Sequence, residues 1–385
     1  MSCAIFVFSG DPITLGHIDL ITKASGMFEK LVIGIANNQE KNYLFSLNER
    51  LDMVKECLKN IENIEIKISK GLTVDFALQH KANVIIRGVR TSADLDYELI
   101  FAQMNLSQKT NLQTIFIPSD PKYIHVSSSV VKTIQKDHGL ITDFVPYYVK
   151  AKLEEKLSRQ YFVSITGAIS AGKSTFSHEF NHYARKKGIE AHNIEMDKLG
   201  HIILSENDDP YYRLIRDEIA DTFGKDLQNE DSSINREKLG KLVFKDADKL
   251  SKLESIIYDP IRIELNRQTR NIQGLVFVTA ALIVEKNLLF RSNNNVILVD
   301  ASKETRMDRL LKAGFSKEDA ENRMKTQWTK EDKVSFISNK IKEHSYGTYI
   351  EVNTDNGYTE ECLESVWNKL CDIFPAFNQD ESRGF

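Results

Sequence analysis

Short apolar runs alternate with amphipathic stretches along the front part of the chain. Ala4 to Phe8, Leu31 to Ala36, Ile64 to Ile68, Val84 to Ile86 and Thr114 to Ile117 read as strands. Between them, His17 to Glu29 and Leu47 to Leu58 carry apolar residues at helical spacing. Strands alternating with helices predict a doubly wound parallel sheet, whose ligands sit beyond the carboxyl ends of the strands. Tyr147 to Arg159 reads as a polar helix that closes this region. At Tyr161 the pattern starts again. Phe162 to Ile165, Ile194 to Asp197, Leu275 to Val278, Val296 to Val299 and Tyr349 to Val352 are strand candidates. Ser316 and Thr329, each with an Asp three residues on, mark helix starts. The pattern predicts an α/β protein of two doubly wound parallel-sheet domains, residues 1–158 and 159–385.

Composition narrows the function classes. The chain has 385 residues, 41% of them hydrophobic, with 51 basic and 55 acidic side chains. That length suits two domains rather than one. Up to Gln160 there are 19 basic and 18 acidic residues, leaving 32 and 37 behind. Neither half is the polybasic surface that nucleic acid or an anionic membrane selects, so neither partner is expected. Cys3, Cys57, Cys362 and Cys371 show no Cys-x-x-Cys spacing. They read as reduced thiols of a cytoplasmic protein rather than a zinc site or disulfide framework. The opening Met-Ser-Cys-Ala lacks a basic leader and reads as the start of a strand.

Two loops carry candidate chemistry. Gly167-Ala168-Ile169-Ser170-Ala171-Gly172-Lys173-Ser174, followed by Thr175, is a Walker A sequence between a strand and a helix pattern. Its glycines let successive N–H groups point at phosphate oxygens. Lys173 supplies a charge at the β- and γ-phosphates, and the Ser174 hydroxyl is a ligand for Mg²⁺. Asp197 lies where an acid could take the proton of an attacking hydroxyl; a helix-capping Asp is the alternative. Arg306, Arg309, Lys312 and Arg323 fall on two helix patterns around Gly314, which suits a lid over ATP phosphates.

In the front half, Asp11-Pro12-Ile13-Thr14-Leu15-Gly16-His17 follows the first strand and enters a helix. A hydroxyl and an imidazole at a helix N-terminus, Thr14 and His17, can donate to an α-phosphate as its charge grows; an ordinary capping histidine is the alternative. Lys41 and Phe45 follow the second strand, and Arg87 and Arg90 flank Gly88 after a strand near residue 85. Ser127, Ser128 and Ser129 precede another helix, where they could bind phosphate or simply cap.

With these residues in place, the rear half resembles dephospho-coenzyme A kinase. The resemblance rests on Gly167 to Thr175, Glu195 with Asp197, Leu282 to Glu285, Arg309, Arg323 with Gln327, Lys333, and Asn353 with Gly357. It implies that Asp197 is the general base toward a ribose 3′-hydroxyl and that Glu285 faces the acceptor. Arg309, Arg323 and Asn353 would face ATP. The front half resembles bacterial phosphopantetheine adenylyltransferase, through Asp11 to His17, Lys41 with Phe45, Ile86 to Arg90, Tyr97-Glu98, Met104-Asn105 and Val126 to Ser129. That resemblance implies pantetheine contacts from Ser9, Lys41, Thr73, Arg87 and Asn105. ATP contacts would come from Ser9, His17, Arg90, Glu98, Tyr123 and Ser127 to Ser129. It also implies self-association of the front domain.

Both resemblances have departures. The kinase family usually has Asp at Glu195, Arg at His201, His-Pro at Asp259-Pro260 and Pro at Ala281. The adenylyltransferase family reads Pro-Gly-Thr-Phe where this chain has Val7-Phe8-Ser9-Gly10. Together the resemblances imply a Rossmann-like nucleotidyltransferase followed by a P-loop kinase. With Mg²⁺ and ATP in both domains, it would carry 4′-phosphopantetheine through dephospho-coenzyme A to coenzyme A. The alternatives are a nicotinamide mononucleotide adenylyltransferase/ribosylnicotinamide kinase fusion, or decay of one domain into a non-catalytic nucleotide-binding module.

Overall fold

A computed structural model describes residues 2–38, 41–108, 111–206, 209–243, 246–325 and 327–378. The chain divides into two compact units, Met1–Ser158 and Arg159–Phe385.

The front unit runs β1 (Cys3–Phe8), α1 (Leu15–Ser25), β2 (Lys30–Ala36), α2 (Leu47–Leu58), β3 (Ile64–Ser69) and α3 (Thr73–Gln79). It continues through β4 (Val84–Val89), α4 (Ser92–Ser107), β5 (Gln113–Pro118), α5 (Ser128–Lys136) and α6 (Tyr147–Ser158). The strands are all parallel, in the order β3-β2-β1-β4-β5. The winding reverses between β1 and β4, which makes that edge the switch point. Alternation along β1 divides the core: Ala4 and Phe6 pack on one face, Cys3, Ile5 and Val7 on the other. Val149 and Leu153 of α6 join the first of these cores, so this polar helix closes the front unit. Helix α4 is the exception to amphipathic packing, for none of its residues is buried.

The rear unit runs β6 (Gln160–Thr166), α7 (Lys173–Lys186), β7 (Ala191–Glu195), α8 (Met196–His201), α9 (Pro210–Phe223), α10 (Arg236–Val243) and α11 (Ala247–Thr269). Then follow β8 (Gly274–Thr279), β9 (Asn295–Asp300), α12 (Lys303–Lys312), α13 (Lys317–Lys325), α14 (Lys330–His344), β10 (Thr348–Asn353) and α15 (Glu360–Ile373). Its sheet is again parallel, ordered β10-β9-β6-β8-β7. Helices α9 to α11 pack around a separate apolar cluster that includes Tyr212, Ile219 and Leu239.

Two boundaries differ from the sequence expectation. Strand β4 continues to Val89, so Arg87 and Gly88 belong to the strand and not to the loop after it. Strand β7 ends at Glu195, and Asp197 lies in the first turn of α8. The hydroxyls expected to cap α13 and α14 do so: Ser316 accepts from the Asp319 amide at 3.1 Å and Thr329 from the Asp332 amide at 3.2 Å.

Candidate active sites at the two sets of strand ends

Beyond β1 and β4, at the switch point, lies a cavity of about 320 Å³. Thr14, His17, Arg87, Arg90, Glu98 and Tyr123 line it, together with Ser127, Ser128 and Ser129. Thr14 caps α1 and is itself buried. Its backbone N–H donates to His17 Nδ1 at 3.1 Å, and its hydroxyl lies 2.8 Å from the same nitrogen. A nitrogen that accepts from an amide carries no proton, so the neutral ring bears its hydrogen on Nε2. Burial, with the Arg90 charge acting in the same direction, holds the His17 pKa down to about 4. At neutral pH the ring is an uncharged donor.

The arginines are held by carboxylates. Arg87 makes a two-pronged pair with Glu98, both bonds 2.6 Å, and also donates to the Val7 carbonyl at 3.1 Å. Arg90 pairs with Asp94 at 2.9 Å and reaches the Val126 carbonyl at 3.3 Å. Arg87 and Glu98, expected to face different substrates, therefore bind each other. Of the three serines, Ser127 caps α5 and Ser128 donates to the Pro12 carbonyl at 2.8 Å. Ser9, Lys41, Thr73 and Asn105 do not line this cavity. Lys41 is exposed on the segment after β2, Thr73 opens α3 at the end of β3, and Asn105 lies on α4.

Sequence reasoning missed the framework that holds these loops. Asp11 is buried and accepts from the Leu44 and Phe45 amides at 3.1 and 2.9 Å and from Lys132 at 2.7 Å. Arg50, fully buried on α2, donates to the Ser9 and Ala36 carbonyls at 2.6 and 2.8 Å and to Asn37 at 2.7 Å. The charged Asp11 in the first motif was the one available hint.

In the rear unit the loop from Gly167 to Gly172 joins β6 to α7. Gly167 passes so close to the Val299 backbone that no side chain fits there. Gly172, at φ +91, turns the chain into the helix, and its carbonyl accepts from the Tyr358 hydroxyl. Lys173 folds back to donate to the Gly167 and Ala168 carbonyls at 3.0 and 2.9 Å. Burial, reinforced by the Lys333 charge, lowers its pKa to about 8, although Asp197 and Glu285 act against the shift. Arg309 donates to the Ser170 carbonyl at 3.1 Å and the Thr354 carbonyl at 2.7 Å, bracing the loop. Ser174 and Thr175 are exposed in the first turn of α7.

A second cavity, of about 350 Å³, is lined by Ala168, Arg306, Gln327, Lys330 and Lys333 among others. Lys333 is buried, pairs with Glu285 at 2.7 Å and donates to the Ala281 carbonyl at 3.1 Å. Asp197 is exposed in the first turn of α8, near enough to act on the Lys173 charge. Of the rear-unit residues expected at ATP, Ala168 alone lines this cavity; the rest of the Walker loop with Lys173 and Ser174 does not, nor do Arg309, Arg323 and Asn353. The Arg323 guanidinium stacks on Phe315 at 4.6 Å, and Asn353 donates to Asp355 at 3.1 Å.

Comparison with known proteins gives a family match for each unit. A cytidylyltransferase-like family model matches residues 8–134. Phosphopantetheine adenylyltransferase of Psychromonas ingrahamii is 44% identical over 153 residues, covering 40% of this chain and 95% of that protein. Through its front unit, the chain belongs to the phosphopantetheine adenylyltransferase family. The Clostridium perfringens member is 37% identical, over 41% of this chain and 96% of its own length. The dephospho-CoA kinase family model matches residues 161–345, so the adenylyltransferase unit is followed by a kinase unit. Among solved structures, dephospho-CoA kinase from Campylobacter jejuni covers 56% of this chain and 98% of its own, at 24% identity and TM-score 0.33. Both units are of enzymatic families, and both families transfer groups from nucleotides. Among the described residues, no helix is long and apolar enough to cross a membrane.

Proposed function

We propose that the chain performs the last two steps of coenzyme A synthesis in succession. The front unit transfers the adenylyl group of ATP to 4′-phosphopantetheine, giving dephospho-coenzyme A and pyrophosphate. The rear unit then phosphorylates the ribose 3′-hydroxyl with a second ATP. The observation that carries this reading is the pairing, on one chain, of a neutral His17 at a helix N-terminus with a Walker loop at another strand end.

In the first step the substrate phosphate attacks the α-phosphorus in line. His17, fixed by Thr14, donates a hydrogen bond to the α-phosphate oxygens as their charge grows, and Arg90 adds positive potential. Lys41 is assigned to the incoming phosphate, reaching it from the segment that Asp11 and Arg50 hold at either end. Ser9, Thr73, Arg87 and Asn105 complete the pantetheine side, with Glu98, Tyr123 and the three serines toward ATP. In the second step Asp197 accepts the proton of the 3′-hydroxyl while Lys173 steadies the phosphates. Glu285 faces the acceptor, and Arg309, Arg323 and Asn353 serve the ATP side.

Families of this kind need Mg²⁺. The Ser174 hydroxyl is an oxygen donor of the type a hard cation takes, and magnesium fills most of its shell with water and phosphate oxygens. When bound, the ion neutralises charge on the phosphates. We assign the chain to the cytoplasm, where ATP is plentiful. We also assign it to a homo-oligomer built through α4. That helix exposes Tyr97, Leu99, Ile100, Met104 and Leu106, an apolar surface of the kind that a second copy covers.

One assay tests the reading. Purified chain, phosphopantetheine, ATP and magnesium should yield coenzyme A through dephospho-coenzyme A. Product that stops at dephospho-coenzyme A removes the kinase assignment, and no product removes the adenylyl-transfer assignment.

A further inference from the structure

Phe8 is the last residue of β1, and its side chain lines the front cavity. The ring centroid lies 4.8 Å from that of His17, with the planes inclined at 38°. On the strand side the ring stacks on Phe6 at 5.1 Å. Its far edge faces Gly10, whose φ is +63. A Cβ on Gly10 would stand 3.6 and 3.7 Å from two carbons of the Phe8 ring and 3.4 Å from Val54. The phenyl ring thus fills the space beside a residue with no side chain and covers the flat side of the imidazole.

The imidazole is restrained in two independent ways. Thr14 holds Nδ1 by hydrogen bonds, which fixes the tautomer. Those bonds leave the ring free to tip about the Nδ1 contacts, and Phe8 blocks that motion by occupying the face. We propose that Phe8 is a positioning residue for adenylyl transfer, clamping the His17 ring and keeping water from its face. The proposal rests on the reading of the front unit given above.

An apolar ring against an imidazole disfavours the charged form, because the imidazolium loses hydration that phenyl cannot replace. The charged groups across the cavity are Arg87 and Arg90 with their partners Glu98 and Asp94. Arg90 adds to the burial effect on His17. On α1 itself, Asp19 and Lys23 pair with each other at 2.7 Å. From the α5 side come Tyr123 and Ser127 to Ser129, which carry hydroxyl groups. Phe8 is therefore the group whose removal most directly admits water to the ring.

The test follows the His17 imidazole by long-range proton–nitrogen NMR in the full chain, with His17→Gln supplying the assignment. Phe8→Ala should raise the titration midpoint by about one pH unit or more, toward the ordinary histidine value. It should lower kcat for adenylyl transfer about tenfold, with a smaller change in KM for ATP. Phe8→Leu keeps the apolar bulk and should restore most of both effects, which guards against misfolding of the alanine variant. An unchanged midpoint in Phe8→Ala overturns the proposal, and so does a shifted midpoint with full kcat. Failure of the unsubstituted chain to make dephospho-coenzyme A defeats the functional reading instead; the titration comparison then still decides what Phe8 does to His17.

Discussion

The Ile169 amide donates to the side-chain oxygen of Gln327 at 2.7 Å, across 158 residues of sequence. Ile169 lies in the Walker loop, whose amides are proposed to take phosphate, so a nucleotide bound there would compete with Gln327 for the same N–H. The glutamine follows α13, on the segment that leads into α14. Removing the competitor should tighten nucleotide binding. Gln327→Ala is expected to bind a non-hydrolysable ATP analogue about fivefold more tightly by calorimetry, the equivalent of one ordinary hydrogen bond of about 1 kcal/mol. The adenylyl-transfer rate of the same protein should not change.

Lys173 should set a pH limit on the kinase step. With a pKa near 8 it is cationic below that pH and neutral above it. The neutral form binds phosphate poorly, so kcat/KM for the second step should fall as pH rises through about 8. A matching profile of the first step, recorded on the same sample, should lack this limb. A kinase profile flat to pH 10 would contradict the assignment (buffer pH being the only variable changed).

The two activities should separate by single changes. His17→Ala removes the uncharged donor and should cost adenylyl transfer on the order of a hundredfold or more. It should leave phosphorylation of supplied dephospho-coenzyme A intact. Asp197→Asn should do the reverse. Loss of both activities from either change would refute independent sites.

The alternation of strands and helices was legible because parallel strands buried on both faces appear as unbroken apolar runs, such as Leu31 to Ala36. The end of β4 was not, because Arg87 and Gly88 look like loop residues yet pair in register with Phe116 and Ile117 of β5. The motifs placed Thr14, His17 and the Walker loop without help from coordinates, since each lies within a short stretch of chain. What stayed hidden were partnerships over distance. Lys132 meets Asp11 across 121 residues, and no local pattern predicts that contact. Phe8 could be seen as a departure from the family, but its seat on His17 could not.

Asp11 is the framework residue whose loss should be most costly. Its carboxylate is 4% exposed and satisfies two amides and a lysine. Asp11→Ala would strand the buried Phe45 amide and unpair the half-buried Leu44 amide and Lys132, and destabilisation of about 2 kcal/mol is expected. Urea unfolding should show a lowered midpoint for the front unit, with the kinase step still measurable in buffer.

Helix α4, with no residue buried, has a consequence for dosage. Both catalytic units are translated as one chain. Any copy that covered that helix would therefore bring one kinase along with one adenylyltransferase. Whatever the size of the assembly, the two capacities stay at a fixed ratio of one to one. Within one chain, balance between making dephospho-coenzyme A and using it then rests on the turnover of each site.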